Sequence, residues 1–77
     1  MDINLTESLE KYLLAIDTLL ENKQDIIVKD VADYLKLGGA STSEAIKKLK
    51  DKGFINYEPY GNITLTDSGE RAVLLKK

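Results

Sequence analysis

The segment VKDVADYLKLGGASTSEAIKKLKDK, residues Val28–Lys52, contains the pattern that predicts the fold of this protein. Apolar residues recur at helical spacing before and after the pair Gly38–Gly39, and this pattern predicts two helices, the first over about Lys29–Lys36. Leu37 and the two glycines predict a tight turn, because glycine adopts backbone angles that other residues resist. Two helices joined by a short glycine-containing turn are typical of a helix-turn-helix, whose second helix lies in the major groove of DNA.

The second of these helices begins between Ala40 and Thr42 and ends near Lys52, with Gly53 as its C-terminal stop. Ser41–Glu44 matches a capping box, S-x-x-E, which satisfies free N–H groups of a first helical turn. The inward face of this helix consists of Thr42, Ala45, Ile46 and Leu49. The residues that point elsewhere are Ser41, Ser43, Glu44, Lys47 and Lys48.

The residues that precede this stretch predict another helix and a short strand. Apolar side chains at helical spacing predict a helix over about Thr6–Leu20. Either Asn4 together with Glu7, or Thr6 alone, caps its start. Ile26–Val28 is a β-branched run that is too short for a helix, and it predicts a strand of one or two ladder pairs.

The residues that follow predict a hairpin and a last helix. Phe54–Tyr57 and Ile63–Thr66 are rich in strand formers, and Glu58–Asn62 is dense in turn formers. Either Thr66 or Asp67 then caps a helix that runs to the C-terminus. The apolar residues available for its packing are Ala72, Val73 and Leu75. The predicted fold is mainly α with a small β-hairpin: a winged helix-turn-helix with a three-helix core, a wing and a C-terminal exit helix, formed by residues 1–77 as a single domain.

Composition excludes several classes of protein. The 77 residues include no cysteine and no histidine, which rules out a disulfide framework, a zinc finger and a histidine-based catalytic triad. The net charge of −2 gives no support to nucleic-acid binding by itself. The charge is segregated, however: residues 47–52 hold four lysines and one aspartate, and residues 2–10 hold three acids and no base. One face of the protein is therefore expected to be basic.

No pattern in the sequence indicates catalysis or a membrane location. No nucleophile stands beside a base, and no phosphate-cradling loop is present. No apolar run approaches the roughly 20 residues that span a bilayer, and the acidic N-terminus does not match a signal peptide. We therefore expect a cytoplasmic protein that is not an enzyme and has no cofactor, no small-molecule substrate and no membrane partner.

Three short segments of the sequence indicate one family of winged helix-turn-helix proteins. They are Glu10–Leu13 with Ile16, Val28–Leu35, and the combination of Gly53–Glu58 with Leu65-Thr66-x-x-Gly69. Together they resemble the N-terminal domain of the metal-dependent repressors of the diphtheria-toxin-repressor and manganese-transport-regulator type. The resemblance covers nearly the whole chain without gaps. It implies a sequence-specific DNA-binding domain of a prokaryotic transcription regulator, which acts on double-stranded DNA as a homodimer.

The resemblance also carries over DNA-contacting positions. In this sequence they are Gly38, Ala40, Ser41, Ser43 and Glu44, with Lys48 at a phosphate-contacting position. Two departures from the family put contacts in doubt. The family often has proline at or next to Ala40, and Asp51 occupies a position that is basic in some members. From its place after the turn, Lys47 is a further expected phosphate contact, and Tyr60 and Asn62 at the tip of the wing are expected to reach the DNA backbone or minor groove.

Simpler interpretations remain beside these. Ser41 and Glu44 serve equally well as helix caps, the lysines as a solvated helix face, and Asn62 as a turn residue. The low isoelectric point and Asp51 favour a second hypothesis, a winged helix that binds protein and has no useful DNA affinity.

The metal site of the family does not carry over. Two of its ligand positions on the first helix match Lys11 and Leu14 here. A lysine ammonium repels a divalent cation, and leucine has no donor atom. The sequence therefore predicts no bound metal.

Overall fold

The computed structural model of this protein describes residues 6–23, 25–58 and 61–76. Four helices and one antiparallel hairpin follow one another along the chain. The elements are α1 (Glu7–Asn22), α2 (Val28–Leu35), α3 (Gly39–Asp51), β1 (Ile55–Tyr57), β2 (Ile63–Leu65) and α4 (Asp67–Lys76). The order is that of a winged helix-turn-helix, and the predicted fold class is confirmed.

Helix α1 forms because its apolar residues share one side and its first turn is capped. The hydroxyl of Thr6 accepts the N–H of Leu9 at 3.2 Å, so Thr6 is the cap. The alternative cap, Asn4, lies outside the described residues. The buried side of the helix consists of Leu9, Tyr12, Leu13, Ala15 and Ile16.

The strand predicted at residues 26–28 is wrong. Val28 is the first residue of α2, and the carboxylate of Asp30 accepts the N–H of Ile27 at 2.9 Å. This bond satisfies one backbone donor at the helix start, so the chain enters a helix where β-branched composition favoured a strand. Ile26 still makes one backbone hydrogen bond of the kind found between strands, because its carbonyl accepts the N–H of Ile63 at 2.9 Å.

The turn between α2 and α3 is tight, but its glycines do not supply the unusual backbone angle. Lys36 has φ +56°, whereas Gly38 is extended at φ −65° and ψ 147°. The N–H of Leu37 bonds back to the carbonyl of Ala32 at 3.0 Å, and this closure of α2 requires a left-handed residue just before it. The prediction of special angles at Gly38 and Gly39 is therefore wrong for both, since Gly39 is already helical.

Helix α3 begins one residue earlier than the predicted range, at Gly39. Ser41–Glu44 consequently lies inside the helix, Gly38 is the N-cap, and the predicted capping box is wrong. The inward face was predicted correctly, since Thr42, Ala45, Ile46 and Leu49 are all buried. Gly53 follows with φ +84°, the left-handed stop that the sequence predicted.

The hairpin β1–β2 pairs Ile55 with Leu65, Asn56 with Thr64 and Tyr57 with Ile63. Thr66 then caps α4, because its hydroxyl accepts the N–H of Gly69 at 3.0 Å. Ala72 and Val73 are buried as predicted, but Leu75 is 67% exposed and the prediction that it packs is wrong. The α4 helix rests on α1, where Lys76 and Glu10 form an ion pair at 3.5 Å.

One hydrophobic core lies among α1, α3, the hairpin and α4, with α2 covering one side. Its most deeply buried side chains are Leu13, Ile16, Ile26, Ile46, Leu49, Ile63, Val31 and Thr42. This core holds α3 by its inward face, so the outer face of the helix is presented away from the rest of the protein. Within the described ranges, no helix is both long enough and apolar enough to cross a bilayer.

Candidate nucleic-acid interface

The outer face of α3 is organised as a ridge with two sides. A helix turns by about 100° per residue, so residues spaced 4, 3 and 4 apart form a row opposite the buried stripe. That row, here called the crest, consists of Ala40, Glu44, Lys47 and Asp51, and all four residues are exposed. Three predicted DNA contacts, Ala40, Glu44 and Lys47, therefore share one line along the helix.

The side of the crest that faces α1 is polar and carries lysines. Ser41, Lys48 and Lys52 line a groove of about 370 Å³ between α3 and the first turns of α1. The opposite wall of this groove includes the hydroxyl residues Thr6 and Ser8. The structure therefore brings the predicted contacts Ser41 and Lys48 together on one side.

The side of the crest that faces the wing is lined by more apolar residues. Ser43 is half-buried in a groove of about 320 Å³, which is also lined by Ile27, Lys29, Tyr57 and Gly61. Lys50 lies further along, in a depression at the base of the hairpin. Ser43 is thus separated from Ser41 by the crest, and the two hydroxyls face different grooves.

The charges on this surface are mixed at the crest and positive beside it. The crest holds the carboxylates of Glu44 and Asp51 and one ammonium, that of Lys47. Lys48, Lys50 and Lys52 are exposed on its two sides. In the part of the chain that the structure describes, none of these lysines is in an ion pair. Their charges are therefore free to meet phosphates.

The start of α3 has no side-chain cap. Gly38 is its N-cap residue, and the hydroxyl of Thr42 donates to the carbonyl of Gly38 at 2.9 Å instead of accepting an N–H. The first N–H groups of a helix have no partner within the helix and attract anions. The predicted contacts Gly38 and Ala40 therefore lie where backbone donors are available.

The tip of the wing differs from its prediction. The side-chain amide of Asn62 donates to the carboxylate of Asp25 at 2.9 Å, across 37 positions of sequence. The contact of Asn62 with DNA stays a prediction, while Tyr60 lies outside the described residues. Sequence reasoning missed Asp25 altogether, and no local pattern in the sequence marks this pairing.

The two positions that match metal ligands of the family line a cleft between α1 and α2. Lys11 and Leu14 border this cleft of about 460 Å³ together with Glu7, Glu10 and Tyr34. Among the described residues, no group of three or more histidine, cysteine or acidic residues is placed to hold a metal ion. Lys11 places an ammonium beside the two carboxylates in this cleft, and Leu14 has no donor atom.

Comparison with known protein families gives one match over most of the chain. Residues 4–63 match the family described as "Iron dependent repressor, N-terminal DNA binding domain". This range contains α1, α2, α3 and β1, and it ends at the first residue of β2.

Two curated relatives have similar sequences. The HTH-type transcriptional regulator MntR of Lysinibacillus sphaericus is 35% identical over 66 residues, which are 86% of this chain and 48% of that protein. An uncharacterised HTH-type transcriptional regulator of Methanocaldococcus jannaschii is 36% identical over 66 residues, which are 84% of this chain and 53% of that protein. The chain spans about half the length of these relatives.

Two solved structures share the fold. The transcriptional regulator SlyA superimposes with a TM-score of 0.76 and 25% identity, over 95% of this chain and 53% of the other. A MarR/EmrR family transcriptional regulator from Acinetobacter sp. ADP1 superimposes with a TM-score of 0.71 and 26% identity, over 94% of this chain and 50% of the other. In both cases the similarity covers the helices and the hairpin together.

Proposed function

Because this chain belongs to the family of iron dependent repressor N-terminal DNA-binding domains, we propose that it reads a specific operator sequence as the DNA-binding domain of a prokaryotic transcription regulator. One observation supports the proposal above the others: the outer face of α3 is exposed, starts without a side-chain cap and is flanked by lysines that have no ion-pair partner in the described structure.

In this proposal the first half of the crest enters the major groove. Recognition helices of this type contact base edges with their N-terminal residues. Ala40 is small and allows the helix to approach, and Glu44 accepts a hydrogen bond from the amino group of cytosine. Ser41 and Ser43 reach phosphate or base edges on opposite sides. Asp51 lies at the far end of α3, where the helix leaves the groove and its charge meets fewer phosphates.

The lysines beside the crest hold the phosphate backbone. Lys48 and Lys52 face one strand from the α1 side, and Lys50 faces the other from the base of the hairpin. Lys47 on the crest adds positive charge between them. Contacts of this kind position the domain without reading sequence, and each neutralised phosphate steepens the dependence of affinity on salt. The hairpin contacts the DNA that flanks the site.

We further infer that DNA binding needs no metal held by these residues. The family description names iron, but Lys11 and Leu14 occupy two ligand positions and the described residues offer no metal-binding group. Control by an effector then depends on something other than a cation on α1.

The remaining features of the proposal follow from this role. Residues 1–77 act as one reading unit in the cytoplasm, and a pair of copies reads a palindrome with half-sites one helical turn apart or a multiple of it. The family consists of repressors, and a non-enzymatic role fits that membership.

Selection of bound duplexes from a random pool, with and without manganese, tests the proposal. We expect one sequence to be enriched equally under both conditions. Affinity for that duplex is then measured at two salt concentrations. Lys48→Ala should weaken binding on every sequence and reduce the salt slope by about one unit, whereas Ser43→Ala and Glu44→Ala should change base preference by about 1–3 kcal/mol.

Lys11→Ala is the matched control, because it removes the same charge from the cleft between α1 and α2, away from α3. It should leave affinity nearly unchanged. Equal affinity in all three α3 variants would remove this helix from the interface.

A second candidate function is binding of protein by the same face. The carboxylates of Glu44 and Asp51 on the crest favour it, because they repel phosphates. It predicts that no duplex is enriched from the pool. Enrichment that disappears with Lys48→Ala excludes it.

A further inference from the structure

The wing of this protein is too short to hold its own direction. Each strand has three residues, and an isolated two-stranded hairpin is marginally stable in water. The hairpin therefore depends on what holds it at its two ends. The orientation of the wing relative to α3 is set by these attachments.

The base of the hairpin is attached through Thr66. Its N–H donates to the carbonyl of Phe54 at 3.1 Å, and its hydroxyl donates to the carbonyl of Gly53 at 2.6 Å. The same hydroxyl accepts the N–H of Gly69, so one residue joins the hairpin to the end of α3 and the start of α4. This end is fixed from three sides.

The far end, next to the turn, is attached to the loop between α1 and α2. Two consecutive residues of the wing bond two consecutive residues of that loop. The N–H of Ile63 donates to the carbonyl of Ile26 at 2.9 Å, and the amide of Asn62 donates to the carboxylate of Asp25 at the same distance. The pair Asp25–Asn62 is here called the latch.

The two bonds at this end differ in their surroundings. Ile26 and Ile63 are completely buried, so their backbone bond is shielded from water and belongs to the core. The latch is exposed on both sides and contributes little to the stability of the fold. Its effect is instead geometric, because it adds a second fixed point beyond the end of the strand and limits rotation of the turn about Ile63.

We propose that Asp25 is a positioning residue for DNA binding, which orients the wing through Asn62. The inference rests on the proposed function of the wing as a contact to flanking DNA. It also assigns to Asn62 a positioning role, because one N–H of its side-chain amide donates to Asp25. Asp25 acts in spite of its negative charge, which by itself weakens binding to a polyanion.

The charge of Asp25 should weaken DNA binding, whereas its hydrogen bond to Asn62 should strengthen it. A matched pair of variants separates these two effects. Asp25→Asn removes the charge but keeps an oxygen that accepts the amide of Asn62. Asp25→Ala removes both. On the selected duplex with its flanks, Asp25→Ala should bind about two- to tenfold more weakly than wild type, and Asp25→Asn should bind at least as tightly as wild type.

A shortened duplex separates positioning from stability. When the flanking base pairs beneath the wing are removed, wild type and Asp25→Ala should bind alike, because the wing has no DNA to contact. A loss of folded protein would weaken binding to both duplexes equally. Asn62→Ala should match Asp25→Ala, and the double variant should be no weaker than either, because both changes remove one bond.

Nuclear magnetic resonance of the free protein tests the latch without DNA. The side-chain amide of Asn62 should shift towards a solvent-exposed value in Asp25→Ala, while the backbone amide of Ile63 stays protected from exchange. Gly61 and Asn62 should gain fast motion in Asp25→Ala, but not in Asp25→Asn.

Four results overturn the inference. They are unchanged affinity of Asp25→Ala on the flanked duplex, equal weakening of Asp25→Ala on the flanked and shortened duplexes, equal losses in Asp25→Ala and Asp25→Asn, and additive losses in the double variant. If wild type enriches no duplex, the proposed function and the DNA-positioning role both fail. The magnetic resonance data then still show whether Asp25 restrains the wing.

Discussion

The first turns of α3 and α4 are held in different ways. At the start of α4, Thr66 caps the helix, and Gly69 lies so close to the carbonyl of Phe54 that a Cβ there would collide with it. At the start of α3, Gly38 offers no cap, and a Cβ on Gly38 or Gly39 would meet nothing within 4 Å. The start of α4 is capped and closely packed, whereas the start of α3 has neither a side-chain cap nor a close neighbour at its glycines.

The other two helix starts lie between these cases. Thr6 caps α1, whereas α2 has no side-chain cap on its first helical N–H groups, although Asp30 accepts the N–H of Ile27 just before the helix. Among the described helices, α3 is the one whose start has no backbone N–H bonded to a side chain. Free backbone donors lower the stability of a helix but also form a site for anions. The start of α4 is therefore held by a side-chain bond where it packs on the hairpin, whereas backbone donors stay free at the start of α3, on the surface proposed to meet phosphates.

The largest expected effect comes from the same substitution at both helix starts. Gly69→Ala should destabilise the protein by about 3 kcal/mol or more, because a backbone carbonyl, which cannot rotate away, blocks the new methyl group. Gly39→Ala meets no neighbour and should stabilise the protein by about 0.5 kcal/mol through helix propensity. Urea denaturation measures both. Similar values for the two variants would show that α4 has room to move.

A smaller effect is expected from capping α3. The extended backbone of Gly38 suits asparagine or aspartate, whose side chain would cap α3. Gly38→Asn and Gly38→Asp should each stabilise the fold by about 0.3 kcal/mol. Only Gly38→Asp adds a negative charge beside the DNA, so it should bind the selected duplex about three- to tenfold more weakly at low salt. Anisotropy titrations at two salt concentrations compare the variants. Equal affinity in both would place the start of α3 away from phosphates.

The smallest expected effect is the dependence of stability on Asp30 at low pH. The N–H of Ile27 lowers the pKa of this carboxyl below its usual range, and Lys23 at 3.4 Å and Lys29 lower it further, while burial opposes them. Since the pKa is lower in the folded state, the carboxylate stabilises the fold fully above its ordinary pKa of about 4. That contribution is lost as the pH falls through the lowered value.

Thermal melts of wild type and Asp30→Asn between pH 7 and pH 2 measure this contribution. Wild type should be more stable at pH 7, by about 0.2 kcal/mol because ion pairs near the surface contribute little, and the difference should disappear in acid. If the stability difference between wild type and Asp30→Asn stays constant with pH, the geometry of the side chain causes it and not its charge.

Much of the candidate site was predictable because helical periodicity is a local property. The buried residues Thr42, Ala45, Ile46 and Leu49 follow from spacing alone, and the exposed residues between them follow by exclusion. The phrase Leu65-Thr66-x-x-Gly69 also predicted the start of α4. The structure adds its reason, which is a hydroxyl cap and a close approach to the backbone.

The errors arose where a distant or competing bond decided the local conformation. Ile26–Val28 has strand composition, but the bond from Ile27 to Asp30 starts a helix there. The turn before α3 takes its left-handed angle at Lys36, because closure of α2 requires it at that position. Both conformations depend on hydrogen bonds that the amino-acid composition of these segments does not predict.

The order of the four helices and the hairpin, the inward face of α3 and the family were predictable from the sequence, since each depends on residues close together in the chain. Packing of the whole chain was needed to show that α3 starts without a cap and that Asp25 bonds Asn62 across 37 positions. Such pairings depend on packing of the whole chain, because an exposed polar side chain acquires a partner only when the core has placed both backbones.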